Sequence, residues 1–422
     1  MRRVVVTGLG VIAPNGHGLE EFENALRKSV SGIRFIDKLA ELKFGCQVGG
    51  IPESVENKLP NYFTEEELLA MNEGMIYTGI AGIDAWKDAG LNVPEKNGDV
   101  VNWDAGCAVG VGLGGMDTIS EKLIPKIAAG KVRRMGSTMV EQCMTSAITA
   151  KLSGLLALGN QVTTNSSACN TGTEAIVDSY NRIKFGLADK MLAGGAEGSS
   201  PYTWGGFDGM KVLCSDFNDT PQEASRPMSE SAGGFIPGSG CGILLLESLE
   251  SAEKRGARIY AEIIGSSLNC GGHRMGGSMT APNPTSVQNC IKNAMNEAGI
   301  TGDQVDAING HLTATMADPI EVDNWSKGLN RSADNFPYIN STKSLIGHCL
   351  GAAGSIESVA SVLQLHKGFV HKSLNCEDLH EKIQPYAKSV VQETKDVDIK
   401  ILAKASFGFG DVNGCIIYKK WD

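Results

Sequence analysis

The chain has 422 residues, 42% hydrophobic and 20% charged, with a formal net charge of −10. That length supports one large or two ordinary domains with a sizeable core, and the acidic balance argues against general nucleic-acid binding. Eleven cysteines without any CxxC pair argue against a disulfide framework or a zinc site and point to a reducing cytoplasm, and no apolar run is long enough to span a bilayer.

The opening MRRVVVTGLGVIAPNG has basic residues before an apolar stretch. The stretch is short, β-branched and broken by Gly and Pro, so it reads as a buried first strand and not a secretory signal. TGLG (7–10) and GVGLGGM (110–116) match dinucleotide loops only weakly. The first lacks the GxGxxG spacing and no acidic residue is placed for a ribose, so these glycines read as sites of close backbone packing.

An amphipathic segment ending in AWKDAGLN (85–92) leads to the strand-like GCAVGVGLGG (106–115). VTTNSSACNTGTEAIVDSYNRI (162–183) then reads strand, polar turn, helix, with Ala175, Ile176, Tyr180, Ile183 and Phe185 near helical spacing. Three echoes follow. RIYAEIIGSSLN (258–269) matches the opening strand. AMNEAGIT (294–301) leads to VDAINGHLTAT (305–315), and YINSTKSLIGHCLGAAGSIESVASVL (338–363) repeats the strand, turn and helix of 162–183. Such alternation predicts α/β layers with mostly parallel strands, built by duplication.

Cys169 falls at or just before the helix start, where free N–H groups and the helix dipole favour a thiolate. Asn165, Ser166 and Ser167 can bond the turn backbone. From this segment alone a small buried hydrophobe stays the alternative. His311 closes the strand-like VDAING, and His348 sits in a Gly- and Ala-rich turn entering a helix, five residues after Lys343. Strand carboxyl ends collect functional groups in layered α/β folds. A lone histidine there is more often structural and a lone lysine a solvated one. A cysteine and two histidines at equivalent turns favour a site.

SSACNTG, LAGGAEG (192–198), ASRPMSESAGGFIPGSGCGILLLES (224–248), STKSLIGHCLGAAG (341–354) and SFGFGDVNG (406–414) carry a resemblance over nearly the whole chain. It resembles the β-ketoacyl-acyl-carrier-protein synthases of the elongating type, condensing enzymes of the thiolase superfamily. The resemblance implies a duplicated five-layer αβαβα sandwich with halves near 1–252 and 253–422. It implies decarboxylative condensation of a malonyl unit with an acyl primer, both carried on the phosphopantetheine of acyl carrier protein, with no metal or organic cofactor. A homodimer is the expected assembly, or a heterodimer with a related subunit.

The resemblance also implies roles. Cys169 takes the primer as a thioester. His311 and His348 stabilise the enolate, and Lys343 with Glu357 organises the site. Backbone N–H groups of Cys169 and Phe409 form an oxyanion hole, beside the gate residues Gly410 and Asp411. Thr313 and Thr315 bind the pantetheine arm, while Leu113, Phe207 and Phe407 line the substrate pocket. Lys126, Lys131, Arg133 and Arg134, joined by Lys211, form the basic patch expected to dock the acidic carrier; a solvated loop is the alternative.

Two motifs depart from the family pattern. HLTATM stands where HGTxTP is usual, with Leu312 for a glycine, Met316 for a proline and one residue fewer before Asp318. GFGDVN stands for GFGGTN, placing Asp411 and Val412 in the gate. A stiffer gate and a carboxylate that meets substrate or carrier are the expectations, and with them a specialised primer such as a polyene precursor. Two other readings stay open. One is a noncatalytic partner that shapes the pocket of an active synthase. The other is a degradative thiolase, for which Cys349 beside His348 is the residue to watch.

Overall fold

The computed structural model describes residues 1–53 and 55–421. Among them, ten strands and a short hairpin partner (Gly16–His17) form one sheet. The first five are β1 (Val4–Ala13), β2 (Ala105–Gly110), β3 (Val162–Thr163), β4 (Lys190–Glu197) and β5 (Gly240–Ser248). The second five are β6 (Ala261–Cys270), β7 (Ala307–Asn309), β8 (Tyr338–Asn340), β9 (Ile401–Gly408) and β10 (Val412–Lys420).

Outward from the centre the order is β1-β5-β4-β2-β3 on one side and β6-β10-β9-β7-β8 on the other. In each half the first two ladders are antiparallel and the last two parallel. The halves meet where Val4, Val5 and Val6 pair with Ile263, Glu262 and Ala261. Pairing is thus mixed and not mostly parallel. The connection from β9 to β10 is a tight turn at 409–411, and a turn that short returns the chain only antiparallel.

Six helices complete the layers: α1 (Glu73–Asp88), α2 (Ala147–Leu156), α3 (Thr171–Lys184), α4 (Pro284–Ala298), α5 (Asp318–Leu329) and α6 (Ala353–Lys367). Ile80 of α1 and Leu152 of α2 pack on Val109, Leu192 and Ile243 of the first half. Ile291 of α4 and Trp325 of α5 pack on Ile308, Ala403 and Ile417 of the second. Between them lie α3 and α6, whose Ile176, Ile183, Ile356 and Val359 share a core with Val6, Leu244, Leu402 and Ile416. This is the αβαβα sandwich.

Burial on all sides explains α6, in which every residue from Ala353 to Leu365 is buried. The TGLG glycines are packing sites: a Cβ on Gly8 or Gly10 would lie 2.1 Å from Ala85 O or 1.9 Å from Ala81 O, so they let α1 rest on β1. Phe185, expected on the apolar face of α3, instead follows its last turn and is 62% exposed.

Candidate active site

The turn from β3 into α3 places the cysteine. Ala168 has a left-handed φ of 50°, a conformation that costs a non-glycine residue about 1 kcal/mol. Thr171 holds it there: its Oγ1 accepts from Ser167 N at 2.8 Å and donates to Ala168 O at 2.6 Å. Cys169 follows, half-buried, immediately before the N-cap Asn170. The expected thiolate is not the resting form. Burial pushes the thiol up to about 11, against the opposing pull of the Lys343 charge and the Phe409 N–H, which points at the sulfur. Desolvation outweighs the helix terminus.

The second half supplies the two imidazoles. His311 lies just beyond β7. Its backbone N–H donates to Glu321 Oε1, and that of Leu312 to Oε2, both at 2.7 Å, so one carboxylate of α5 grips the turn. His348 lies in the turn ahead of α6. One sulfur and one nitrogen from each ring lie within 4.8 Å of one another among Cys169, His311 and His348, and the two rings meet edge to face at 5.3 Å.

Their tautomers follow from their neighbours. Leu350 N donates to His348 Nδ1 at 3.2 Å. The Lys343 ammonium lies 3.3 Å from His311 Nδ1. Both Nδ1 atoms therefore accept, and each ring keeps a free Nε2–H. Burial, then the Lys343 charge, holds both imidazoles well below their ordinary range, so both are neutral at pH 7. Two neutral N–H donors on rings beside one thiol suit a developing anion; a metal cation would need the lone pairs that these tautomers turn away.

Lys343 is 1% exposed, not a solvated lysine. Its Nζ donates to Glu357 Oε1 at 2.5 Å and to His311 O at 2.6 Å. Three further buried ionisable groups give no signal in the sequence. Glu197 accepts from Gly112 N, Leu113 N and Gly351 N at 2.9–3.1 Å, tying the 110–115 loop to the head of α6. Asp318 accepts from Thr313 N, Ala314 N and Met228 N. Lys404 places its Nζ 2.8 Å from the second oxygen of Glu357.

Family models agree with this layout. A β-ketoacyl synthase N-terminal domain matches residues 1–252 and the corresponding C-terminal domain matches 260–377. The chain belongs to the β-ketoacyl synthase family. It is 34% identical to 3-oxoacyl-[acyl-carrier-protein] synthase 2 of Vibrio harveyi, over 99% of both chains. It is equally identical to the chloroplastic synthase I of Arabidopsis thaliana, over 99% of this chain and 86% of that one. Two solved structures match over the full length of both chains at 28% identity. One, at TM-score 0.88, is a type II polyketide ketosynthase with its acyl carrier protein, bound to a hexaketide. The other, at 0.89, is the ishigamide ketosynthase/chain length factor.

The synthase accommodates its two departures in different ways. Leu312, at φ 21°, is fully buried in the outer core of the second half, so its side chain anchors the HLTAT turn where a glycine would leave it loose. Asp411 overturns the expectation of a carboxylate facing substrate or carrier. It is fully buried at φ 62°. Its oxygens accept from Asn283 N at 2.7 Å and His273 N at 3.0 Å, and Gly410 N donates to Met279 O at 2.8 Å. A Cβ on Gly271 or Gly277 would lie 2.2 or 2.4 Å from that carboxylate, so two glycines clear the space for it.

The remaining residues of the synthase distribute around this centre. The hydroxyls of Thr313 and Thr315 are 3.0 Å apart. Phe207 packs 6.2 Å from Phe409 and 5.5 Å from Phe235, which lies 5.2 Å from His348. Leu113 lines a neighbouring cleft with Val111, Met116 and Met144. Phe407 is a correction: it is buried in the core, edge-on to His311 at 6.2 Å, and so backs the histidine instead of lining a pocket. Lys131, Arg133, Arg134 and Lys211 are exposed, the last on a different segment, while Lys126 is partly buried with its Nζ 3.4 Å from Met135 O. Cys349, the residue a thiolase would use, is buried and donates to Ser239 O at 3.4 Å. Among the described residues no helix is long and apolar enough to cross a membrane.

Proposed function

We propose that Cys169 is the nucleophile of a decarboxylative Claisen condensation and that His311 and His348 are its enolate donors. The observation that carries this reading is the cluster of Cys169, His311 and His348 within 4.8 Å, with both rings neutral and offering N–H. Cys169 attacks the primer thioester, its thiol proton passes to the departing sulfur so that the carrier pantetheine leaves as its thiol, and the tetrahedral oxyanion rests on the N–H groups of Cys169 and Phe409. The malonyl thioester then loses CO2; the electron pair of the broken C–C bond moves into an enolate held by the two Nε2–H groups. The enolate carbon attacks the Cys169 thioester, a C–C bond forms and the cysteine is released. No step changes oxidation state beyond the loss of CO2, so the chemistry calls for no cofactor.

In this reading Thr313 and Thr315 bond the pantetheine arm, and Leu113 and Phe207 bound the acyl chain with Phe409 as its gate. Lys126, Lys131, Arg133, Arg134 and Lys211 form the docking patch for an acidic carrier. A homodimer is supported by the free edge of β3, flanked by Phe185 and Leu187, which are 62% and 59% exposed. Eleven free thiols support a reducing cytoplasm.

The primer is the finer question. The relatives at 34% identity bear the name 3-oxoacyl-[acyl-carrier-protein] synthase, which specifies no primer. The pinned gate and the Leu312 turn therefore carry the specialised reading, with support from a structural neighbour bound to a hexaketide. The test is intact-protein mass after exposure to saturated, unsaturated and aryl acyl carriers, wild type beside Cys169→Ala, followed by malonyl carrier. An adduct confined to wild type and released as an extended β-ketoacyl carrier bears the reading out. No adduct with any primer would favour a noncatalytic partner subunit.

A further inference from the structure

Lys404 has no place in the mechanism above, yet it is a wholly buried lysine beside the catalytic ion pair. It sits on β9 with its side chain toward α6. Its Nζ lies 2.8 Å from Glu357 Oε2, donates to Ser406 Oγ at 3.1 Å and also donates to Ala405 O. Glu357 Oε1 already accepts from Lys343 at 2.5 Å. One carboxylate is thus shared by two ammonium groups, one on each oxygen. The arrangement costs desolvation of three charges, and a neutral residue on β9 would leave a simple Lys343–Glu357 pair.

We infer that Lys404 is a positioning residue for the condensation: by occupying the far oxygen of Glu357 it leaves the Lys343 charge uncancelled toward His311 and His348. The triad carries one net positive charge where a pair would carry none. That surplus disfavours an imidazolium at either histidine, and only a neutral imidazole keeps Nδ1 as acceptor and Nε2–H as donor in the observed arrangement. The Lys404 charge acts on both rings directly as well, behind burial and Lys343 and, at His311, behind the neighbouring His348. The other charged or titratable groups facing Lys404 are Lys343 and Glu357, Glu321 of α5 and Cys415 of β10. Glu321 is itself pushed up to about 7, so its negative charge is incomplete near neutrality and does not cancel the surplus.

This inference rests on the proposed roles of His311 and His348. The sign follows directly. Removing a positive neighbour raises the pH at which the imidazoles protonate, so the acid limb of the condensation profile moves up.

The test measures that profile for wild type, Lys404→Gln and Lys404→Arg, with Cys169 acylation followed separately by intact mass. Lys404→Gln keeps a donor for Ala405 O and Ser406 Oγ but loses the charge. Its acid limb is expected to rise by about one pH unit, with condensation on the falling part of the wild-type limb about tenfold lower and acylation within about twofold of wild type. Lys404→Arg keeps the charge and is expected to keep the wild-type limb. A purely structural lysine would lower the melting temperature of Lys404→Gln without moving the limb. A folded Lys404→Gln with the wild-type limb overturns the inference, and so does a Lys404→Arg whose limb moves. Should Lys404→Gln not fold, Lys404→Met removes the charge in its place, and a folded Lys404→Met with the wild-type limb overturns the inference. Wild-type protein that is never acylated at Cys169 would instead remove the underlying reading.

Discussion

Leu350 donates its backbone N–H to Nδ1 of His348 across 3.2 Å, in the short 3-10 turn ahead of the helix that carries Glu357. A main-chain donor at that nitrogen decides the tautomer. The ring cannot take a proton there without losing the bond and gaining a clash of two N–H groups, so its one proton stays on Nε2. His348→Ala removes the donor proposed for the enolate. Malonyl-dependent condensation is expected to fall by about 10²–10³-fold, while acylation of Cys169 persists. Equal loss of both steps, read by product assay and intact mass, would reject the assignment.

The cysteine titrates high. With the Cys169 thiol pushed up to about 11, its alkylation by iodoacetamide is expected to rise about tenfold per pH unit from pH 7 to 9 without levelling off. Cys169→Ala supplies the background from the other thiols. A plateau below pH 8 would show a resting thiolate instead.

Asp411 is expected to lock the gate hairpin to the segment 271–283. Asp411→Gly leaves the N–H groups of His273 and Asn283 without their acceptor. A loss of about 1–3 kcal/mol of stability is expected, with faster hydrogen exchange at those two amides and little change elsewhere. Unchanged protection at His273 and Asn283 would mean that the carboxylate holds nothing.

Glu197 should print its own pH signature. Its carboxyl is pushed up to about 7 by burial from an ordinary 4.5. The folded state then holds a proton that the unfolded state has released, so its contribution is complete below 4.5 and fades as pH rises through 7. Denaturant unfolding between pH 5 and 8 is expected to show a falling limb that Glu197→Gln flattens. The same slope in both proteins would assign the fall to other groups.

Arg133 and Arg134 stand exposed on one short turn. Reversing both to glutamate is expected to raise KM for carrier-borne substrate several-fold and to spare a small thioester analogue. Equal loss on the two substrates would remove the docking assignment.

The sequence is legible where partners are near in the chain or where a motif is long. SSACNTG, HLTAT and STKSLIGH mark Cys169, His311, Lys343 and His348, and the echoed segments announce the duplication. It is illegible where a single letter meets a distant one. Asp411 reads as a free carboxylate on a mobile gate because its acceptor bonds reach His273 and Asn283, 138 and 128 positions away. Lys404 lies in the strand-like ILAKASFG, where one lysine among apolar residues gives no hint of Glu357. Phe407 misleads for another reason: strand alternation sets it on the core face with Ala403 and Ala405, whereas Phe409 lies past the end of the strand at Gly408.

The pairing of β1 with β6 brings two copies of one corner together. Because the halves repeat one another about that seam, the heads of α3 and α6 fall beside each other, one delivering Cys169 and the other His348. The same strand, turn and helix thus occurs twice, once with Cys169 and once with His348. In the proposed function one copy captures the primer, while the other brings the enolate donors together with the gate at Phe409 and Asp411. Neither copy can complete a condensation without its twin.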